Sequence, residues 1–347
     1  MSKKELMKGN EALAEASIIA GCRYYFGYPI TPQNEVPAYM SKRLPEVGGV
    51  FVQAESELAS INMVYGAAAT GVRAMTSSSS PGISLMQEGL SYMAGCEMPA
   101  LIVNVMRGGP GLGNIAPSQA DYLQSVKGGG HGDYHLIVLS PSSVQEIVDL
   151  TILAFDYAFK YRNPAMLMFD GILRQMSEPV VLPQFKEIKS DYEWALGQGK
   201  KQNIIRSLFL VPENKLELHN LHLQGKYQQI KNEINLYETY LCDDAEYFFV
   251  AYGTPSRVCR ASIEVLRNKG VKIGLFRPIS LWPFPDNSLK KTVGNANKIF
   301  VVEMAYNQLE QDVALSIENK DKIVRFNKLG GAIFTEEEII NFVIKNV

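Results

Sequence analysis

The sequence lacks any Cys-x-x-Cys pair. Its four cysteines, Cys22, Cys96, Cys242 and Cys259, lie far apart. That argues against a zinc or iron–sulfur site built within this chain and leaves buried, reduced thiols as the expectation. It also lacks a dominant charge: the net value is −2 over 347 residues, which offers no electrostatic footprint for nucleic acid or a membrane surface. No apolar run approaches the roughly 18 residues needed to span a bilayer, and residues 1–6 carry no apolar signal core. The cytoplasm is the expected compartment. The glycine run Gly108-Gly-Pro-Gly-Leu-Gly113 has no following Lys and is not a Walker motif. What remains is an ordinary globular composition, 46% hydrophobic and 20% charged, at a length suited to two domains.

The stretch 50–84 organises the rest. An apolar run, Val50, Phe51 and Val52, leads into Glu55-Ser-Glu57. A helical pattern follows, with Leu58, Ile61 and Tyr65 spaced i, i+3, i+7. Its last turns are small residues, Gly66-Ala-Ala-Ala, and Gly71 is placed to end it. A strand over 73–76 then runs into Ser77-Ser-Ser-Ser-Pro-Gly82. A helix with a small, apolar body can be buried on most sides, which would put first-turn Glu57 in low dielectric, where a carboxyl favours its protonated form. A first-turn Glu also complements the helix dipole.

Around this unit the chain reads as alternating α and β. Residues 7–22 form a helix that Asn10 can cap, and 24–27 a short strand. Tyr28-Pro-Ile-Thr31-Pro is a stiff loop in which Thr31 either contacts a ligand or caps the next helix, with Pro32 at its first position. Leu85–Ala94 is a helix. Residues 100–106, with the apolar run LIVNVM, read as a strand buried on both faces that ends on Arg107, either placed to take a carboxylate or a solvated loop residue. The glycine-rich segment 128–133 carries His131, a candidate acid or base or a loop residue bonded to backbone. Strands at 136–139 and 165–169 flank a helix over 143–160 that Ser142 can cap. Residues 183–235 turn polar, with charge-rich patches at 186–191 and 226–233. His219 and His222 share a helix face there without a third metal ligand nearby. From residue 247 four strands alternate with helices, a small parallel α/β unit.

Taken together, Gly27-Tyr-Pro-Ile-Thr31-Pro, Gln53-Ala-Glu-Ser-Glu57, Thr76…Ser80-Pro-Gly82, Arg107-Gly-Gly-Pro110, His131-Gly-Asp133, Tyr252-Gly-Thr and Arg277-Pro…Trp282-Pro-Phe-Pro285 make the chain resemble the α subunit of 2-oxoacid:ferredoxin oxidoreductases over nearly its whole length. The resemblance implies an α/β fold in two parts. One is a thiamine diphosphate (TPP) pyrimidine-binding domain over 1–182, a parallel sheet flanked by helices. The other is a smaller transketolase C-terminal-like domain over 241–347, with 183–240 as linker and entry helix. It implies oxidative decarboxylation of a 2-oxoacid with CoA to an acyl-CoA, with ferredoxin as electron acceptor. Glu57 would contact the aminopyrimidine, where a shared proton activates the thiazolium carbon. Glu55 competes for that role, but its spacing to Gly66 departs from the pattern by two residues. Pro29, Ser80 and Gly82 would also contact the cofactor. Thr31 and Arg107 would hold the oxoacid head, with His131 a lesser candidate.

The resemblance also divides the catalyst. The Gly-Asp-Gly and downstream Asn that hold the diphosphate and Mg²⁺ are missing; Phe169-Asp-Gly171 and Gly132-Asp-Tyr134 do not supply them. A β subunit is expected to hold that end of TPP, and γ and ferredoxin-like δ subunits are expected to complete the complex, with its iron–sulfur clusters on partner chains. The wording at Gln119-Ala-Asp-Tyr and Lys127-Gly-Gly-Gly-His131 is most similar to enzymes for 3-methyl-2-oxobutanoate. A 2-oxoglutarate enzyme and a non-catalytic scaffold relative are the alternatives.

Overall fold

The computed structural model describes residues 4–185, 188, 192–197 and 208–347. The first charge-rich patch, 186–191, lies outside the described residues apart from Ile188. In chain order the first part holds β1 (Lys4–Lys8), α1 (Gly9–Ile19), β2 (Tyr24–Gly27), α2 (Glu35–Glu46), β3 (Val50–Gln53), α3 (Glu57–Ala69), β4 (Ala74–Ser78), α4 (Ser80–Leu85), α5 (Gln87–Gly95), β5 (Leu101–Met106), α6 (Tyr122–Val126), β6 (Ile137–Leu139), α7 (Val144–Tyr161), β7 (Ala165–Asp170) and β8 (Ser177–Val181). Then come α8 (Asn214–Glu233), β9 (Tyr237–Tyr240), β10 (Tyr247–Val250), α9 (Gly253–Asn268), β11 (Ile273–Pro278), β12 (Ser280–Trp282), α10 (Asp286–Val293), β13 (Lys298–Glu303), α11 (Leu309–Ser316), β14 (Ile323–Asn327) and α12 (Glu336–Ile344).

Strands β4, β5 and β7 are buried along their whole length, as expected for the middle of a sheet covered by helices on both faces. They lie in a sheet of order β12-β6-β7-β5-β4-β2-β3, parallel except for β12. A second sheet, β14-β13-β10-β11-β9, is parallel except for β9. Three pairings involve strands that local periodicity does not announce. β1 pairs antiparallel with distant β8, β9 adds an antiparallel edge to the second sheet, and β12 crosses back to close the first.

Strand order creates one crevice that matters. β3 lies on one side of β2 and β4 on the other. The β2–β4 ladder holds only at Tyr24↔Ala74 and Tyr25↔Met75, and beyond them the strands part. This reversal at the carboxyl ends of parallel strands is where open α/β sheets bind ligands.

Several expected helix starts move. α1 begins at Gly9, so Asn10 is inside it and does not cap it. Its amide instead donates to Pro32 O (3.2 Å) and Glu35 Oε2 (2.8 Å), tying α1 to the next loop. Thr31 caps nothing, because α2 begins four residues later. Ser143, not Ser142, caps α7 by accepting from Glu146 N, since the Ser142 hydroxyl is turned to the Glu146 carboxylate. The helix expected over 85–94 is α5, which begins two residues later, and the polar turn expected at 77–82 instead opens a short helix, α4, from Ser80.

Candidate active site

Glu57 is the first residue of α3, behind an N-cap Ser56 whose hydroxyl accepts from Ala59 N at 3.1 Å. The cap fixes the helix entry, and the side chain turns into the crevice with only 4% exposure. Glu55, two residues earlier, is exposed. The rest of α3 is less buried than its composition suggests: Leu58, Asn62, Met63 and Gly66 face outward. Among the described residues, the hydrogen bond to the Glu57 carboxyl is from Ser78 Oγ to Oε1, at 3.3 Å. Ser78 ends β4. Gly82 closes over both: a Cβ there would sit 2.0 Å from Ser78 Oγ and 2.4 Å from Glu57 Oε1, so a side chain would displace the acid.

A buried network holds the β2 side. Tyr25 Oη meets Ser77 Oγ at 2.8 Å, Ser77 donates to Gln33 Oε1 at 2.5 Å, and Gln33 Nε2 donates to Tyr28 O at 3.2 Å. Burial pushes the Tyr25 phenol well above its usual range, so it stays neutral and serves as a post. The network pins the loop that carries Pro29, which is exposed, and Thr31, which is half-buried.

Arg107 joins this loop to its own. It is 6% exposed; Nη1 donates to Thr31 O at 2.8 Å and Nη2 to Leu112 O at 3.1 Å, while Nε is buried without a partner. Its backbone N–H donates to Ser80 Oγ at 3.0 Å. Glu57, Ser80, Gly82, Thr31 and Arg107 are therefore brought together around the crevice. His131 is not part of this set. Its side chain is exposed and its carbonyl accepts from Ser91 on α5. The segment after it lines a separate cavity of about 600 Å³ against α8. His219 and His222 clasp α8 to the end of α5, through Gly95 O at 2.7 Å and Glu97 Oε1 at 3.1 Å.

Sequence reasoning missed Ser78 and Asn104. Four serines in a row at the end of a buried strand were the signal for the first. Asn104 is the amide in a strand read as apolar; it is fully buried, with Oδ1 unpartnered.

The donor set fits the pyrimidine end of TPP. A buried acid accepts from one short-chain hydroxyl and keeps acceptor capacity for a ring nitrogen, and Ser79 Oγ, at the end of the same strand as Ser78, and Arg107 Nε are buried without partners. When bound, TPP supplies the carbanion chemistry; Glu57 is the buried acid that would face its ring nitrogen, and Arg107 ties together the loops that carry Thr31 and Leu112.

Residues 15–239 match the family model for pyruvate flavodoxin/ferredoxin oxidoreductase, thiamine diphosphate-binding. Residues 245–339 match that for pyruvate:ferredoxin oxidoreductase core domain II. The chain is 48% identical over 339 residues to ketoisovalerate oxidoreductase subunit VorB of Methanothermobacter thermautotrophicus, covering 97% of this chain and 96% of the relative. It is 38% identical over 368 residues to 2-oxoglutarate synthase subunit KorA of Methanocaldococcus jannaschii, covering 99% and 100%. Among solved structures it is similar to 2-oxoglutarate:ferredoxin oxidoreductase from Magnetococcus marinus, with a TM-score of 0.87 and 28% identity over 99% of this chain and 65% of that one. A split gene transketolase aligns with a TM-score of 0.59 at 13% identity, covering 98% and 97%, a likeness of fold alone. On the extent of these matches, the chain belongs to the 2-oxoacid:ferredoxin oxidoreductase family, as one subunit of a TPP-dependent oxidoreductase.

Proposed function

We propose that this chain supplies the pyrimidine half of a TPP site completed by a partner chain, and that the complex oxidises 3-methyl-2-oxobutanoate. The reaction takes the 2-oxoacid anion, CoA and two oxidised ferredoxins to the acyl-CoA, CO2, two reduced ferredoxins and one proton. The carbon–carbon bond to the carboxylate breaks, a thioester forms, and two electrons leave through iron–sulfur clusters on other chains. The observation that carries the reading is Glu57, a buried acid in the strand-order crevice with a single hydroxyl on it.

Glu57 holds and exchanges a proton at the pyrimidine nitrogen. Thr31 and Arg107 orient the oxoacid head, with Arg107 Nε the free donor for its carboxylate. A β subunit holds the diphosphate and Mg²⁺, and γ and δ chains carry electrons onward. Exposed apolar side chains on the helix that carries Glu57 and on the two that follow support a covering partner: Leu58 and Met63 on α3, Leu85 on α4 and Tyr92 on α5. A branched, uncharged substrate is supported by the identity to the VorB subunit. It is also supported by the Arg107 loop, which exposes Leu112 and Ile115 and carries no Lys or Arg before Lys127. Similarity to KorA keeps 2-oxoglutarate as the second reading.

The test is calorimetry and turnover with and without partner chains. The chain alone should bind TPP·Mg²⁺ no tighter than about 0.1 mM, roughly −5 kcal/mol, because the charged end has no dedicated site. The reconstituted complex should bind it at least about tenfold tighter and prefer 3-methyl-2-oxobutanoate over 2-oxoglutarate in kcat/KM. Micromolar, Mg²⁺-dependent binding by the single chain would refute the divided site. A preference for 2-oxoglutarate would refute the substrate.

A further inference from the structure

The Gln119-Ala-Asp-Tyr motif has no place among the residues gathered at the first crevice, yet Gln119 is only 1% exposed. It lies at a second crevice. In the sheet β14-β13-β10-β11-β9, the chain leaves β10 for β11 on one side and later returns to β13 on the other. The carboxyl ends of β10 and β13 thus flank a second reversal of strand order, where an open α/β sheet ordinarily takes a ligand. The chain's own Gln119 sits there instead. Its Nε2 donates to Tyr252 O at 3.0 Å, two residues past β10, and its Oε1 accepts from Met304 N at 2.9 Å, one residue past β13. Its backbone N–H donates to Met304 O at 2.9 Å, and Ser118 Oγ donates to the same carbonyl at 3.3 Å. Gly253 packs on the amide: a Cβ there would lie 3.3 Å from Gln119 Nε2. The second sheet also reaches back. Gln308 Nε2 donates to Ala120 O at 2.8 Å, Gln308 Oε1 accepts from Leu123 N at 3.0 Å, and Tyr122 Oη donates to Asp312 Oδ2 at 2.7 Å.

Gln119 stands two residues after the foot of the Arg107 loop. Arg107 and Pro117 form an antiparallel bridge, and Gly108 N donates to Ala116 O at 2.9 Å. The loop 108–116 therefore starts and ends at one point. One foot continues β5, and the other runs directly into Ser118 and Gln119. Pro117 has no N–H to give to the bridge, so its place depends on the chain that follows it. That chain is the part fixed at the second crevice. The Arg107 side chain is tied to the same loop, with Nη2 donating to Leu112 O at 3.1 Å.

Resting on the active-site reading above, we propose that Gln119 is a positioning residue for this reaction. Seated where the second sheet would take a ligand, it fixes Pro117, and the Pro117–Arg107 bridge sets the start of the loop from which Arg107 reaches the oxoacid. The second sheet thereby acts on substrate binding through an internal amide.

The experiment compares Gln119→Met and Tyr122→Phe with wild type in the reconstituted complex. Met keeps the volume of Gln119 and loses both side-chain bonds. Three quantities are read: amide hydrogen exchange at Gly108, whose N–H ends on Ala116 O; KM and kcat for 3-methyl-2-oxobutanoate; and KM for CoA. Gln119→Met should speed Gly108 exchange about tenfold. It should raise the oxoacid KM about tenfold, with kcat and the CoA KM within about threefold of wild type. Tyr122→Phe loosens the same segment beyond Gln119, away from the loop foot; it should lower the melting temperature and leave all three quantities unchanged. Wild-type exchange and oxoacid KM in Gln119→Met would overturn the proposal. So would an equal KM rise in Tyr122→Phe, which would make general loosening the cause, or an equal change in kcat or the CoA KM, which would make Gln119 structural only. If Gln119→Met does not fold, Gln119→Glu decides by the same comparison, since it keeps an oxygen for Met304 N and loses the donor to Tyr252 O. Should the wild-type complex turn over no 2-oxoacid, the functional reading fails by itself; Gly108 exchange, which needs no substrate, still shows whether Gln119 holds the Arg107 loop.

Discussion

Glu57→Gln tests the central chemistry with little change in shape. Gln fills the same volume in a site where Glu57 is 4% exposed, and its oxygen can still accept from Ser78 Oγ, now at 3.3 Å. The hydrogen bond from Ser78 is kept, so folding stability should change by about 1 kcal/mol or less. What the amide cannot do is give up and regain a proton at the pyrimidine nitrogen. General acid–base groups contribute about 10²–10⁴-fold, or roughly 3–5 kcal/mol on the barrier.

The assay is deuterium exchange at the thiazolium carbon of TPP in the reconstituted complex, quenched in acid and read by proton NMR. The variant should exchange slower by that factor, while its calorimetric affinity for TPP stays within about tenfold of wild type. Glu55→Gln, at an exposed position, should leave exchange untouched. Wild-type exchange in Glu57→Gln would refute the assignment. An equal loss in Glu55→Gln would mean that the wrong acid was chosen.

Three further outcomes follow from the geometry. Gly82→Ala places a Cβ 2.4 Å from Glu57 Oε1; it should cost roughly 1–3 kcal/mol of stability and slow thiazolium exchange, and a variant with normal exchange would show that the acid can move aside. Arg107→Met removes donors to Thr31 O and Leu112 O as well as the free Nε; kcat/KM for the oxoacid should fall by roughly 2–4 kcal/mol with little effect on the KM for CoA, and an equal effect on CoA would make Arg107 structural. Glu303 accepts backbone N–H groups from Gln308, Leu309 and Glu310 at the start of α11, yet burial pushes its carboxyl up to about 7. The folded state then binds more protons than the unfolded one between the ordinary value of 4.5 and about 7, so stability from this group is present at low pH and is lost as pH rises through that window. Glu303→Gln should flatten the urea-derived stability slope across it, and an unchanged slope would remove Glu303 from the titration.

The α/β alternation was legible because each buried strand is a short apolar run between helices of recognisable period, as at 101–106 and 165–170. Choosing Glu57 over Glu55 by spacing agrees with which of the two the cap at Ser56 turns inward. The losses have one physical source. A strand's partner is chosen by tertiary packing, so nothing near residue 280 says that β12 will join a sheet whose nearest strand is β6. Nothing near Lys4 says that β1 will lie against Ser177–Val181.

The same reason hid Asn104 and Asp121. In an apolar run a single amide reads as noise, and an Asp in a polar loop reads as solvated; that Asn104 Nδ2 donates to Asp121 Oδ2 at 2.9 Å is decided by the packing of two separate segments. The residues proposed to contact ligand were therefore easier to pick out than the buried polar residues around them. The proposed contact residues sit in conspicuous loops at strand ends, where glycine, proline and a lone charge stand out. Ser78 and Asn104 lie on β4 and β5, and only the pairing of those strands puts them at the same level. The single exchange of direction at β2 both opens the crevice and decides which strands' ends can reach it. Glu57 enters from the loop after β3, Ser78 and Ser80 from the end of β4, and Arg107 from the end of β5.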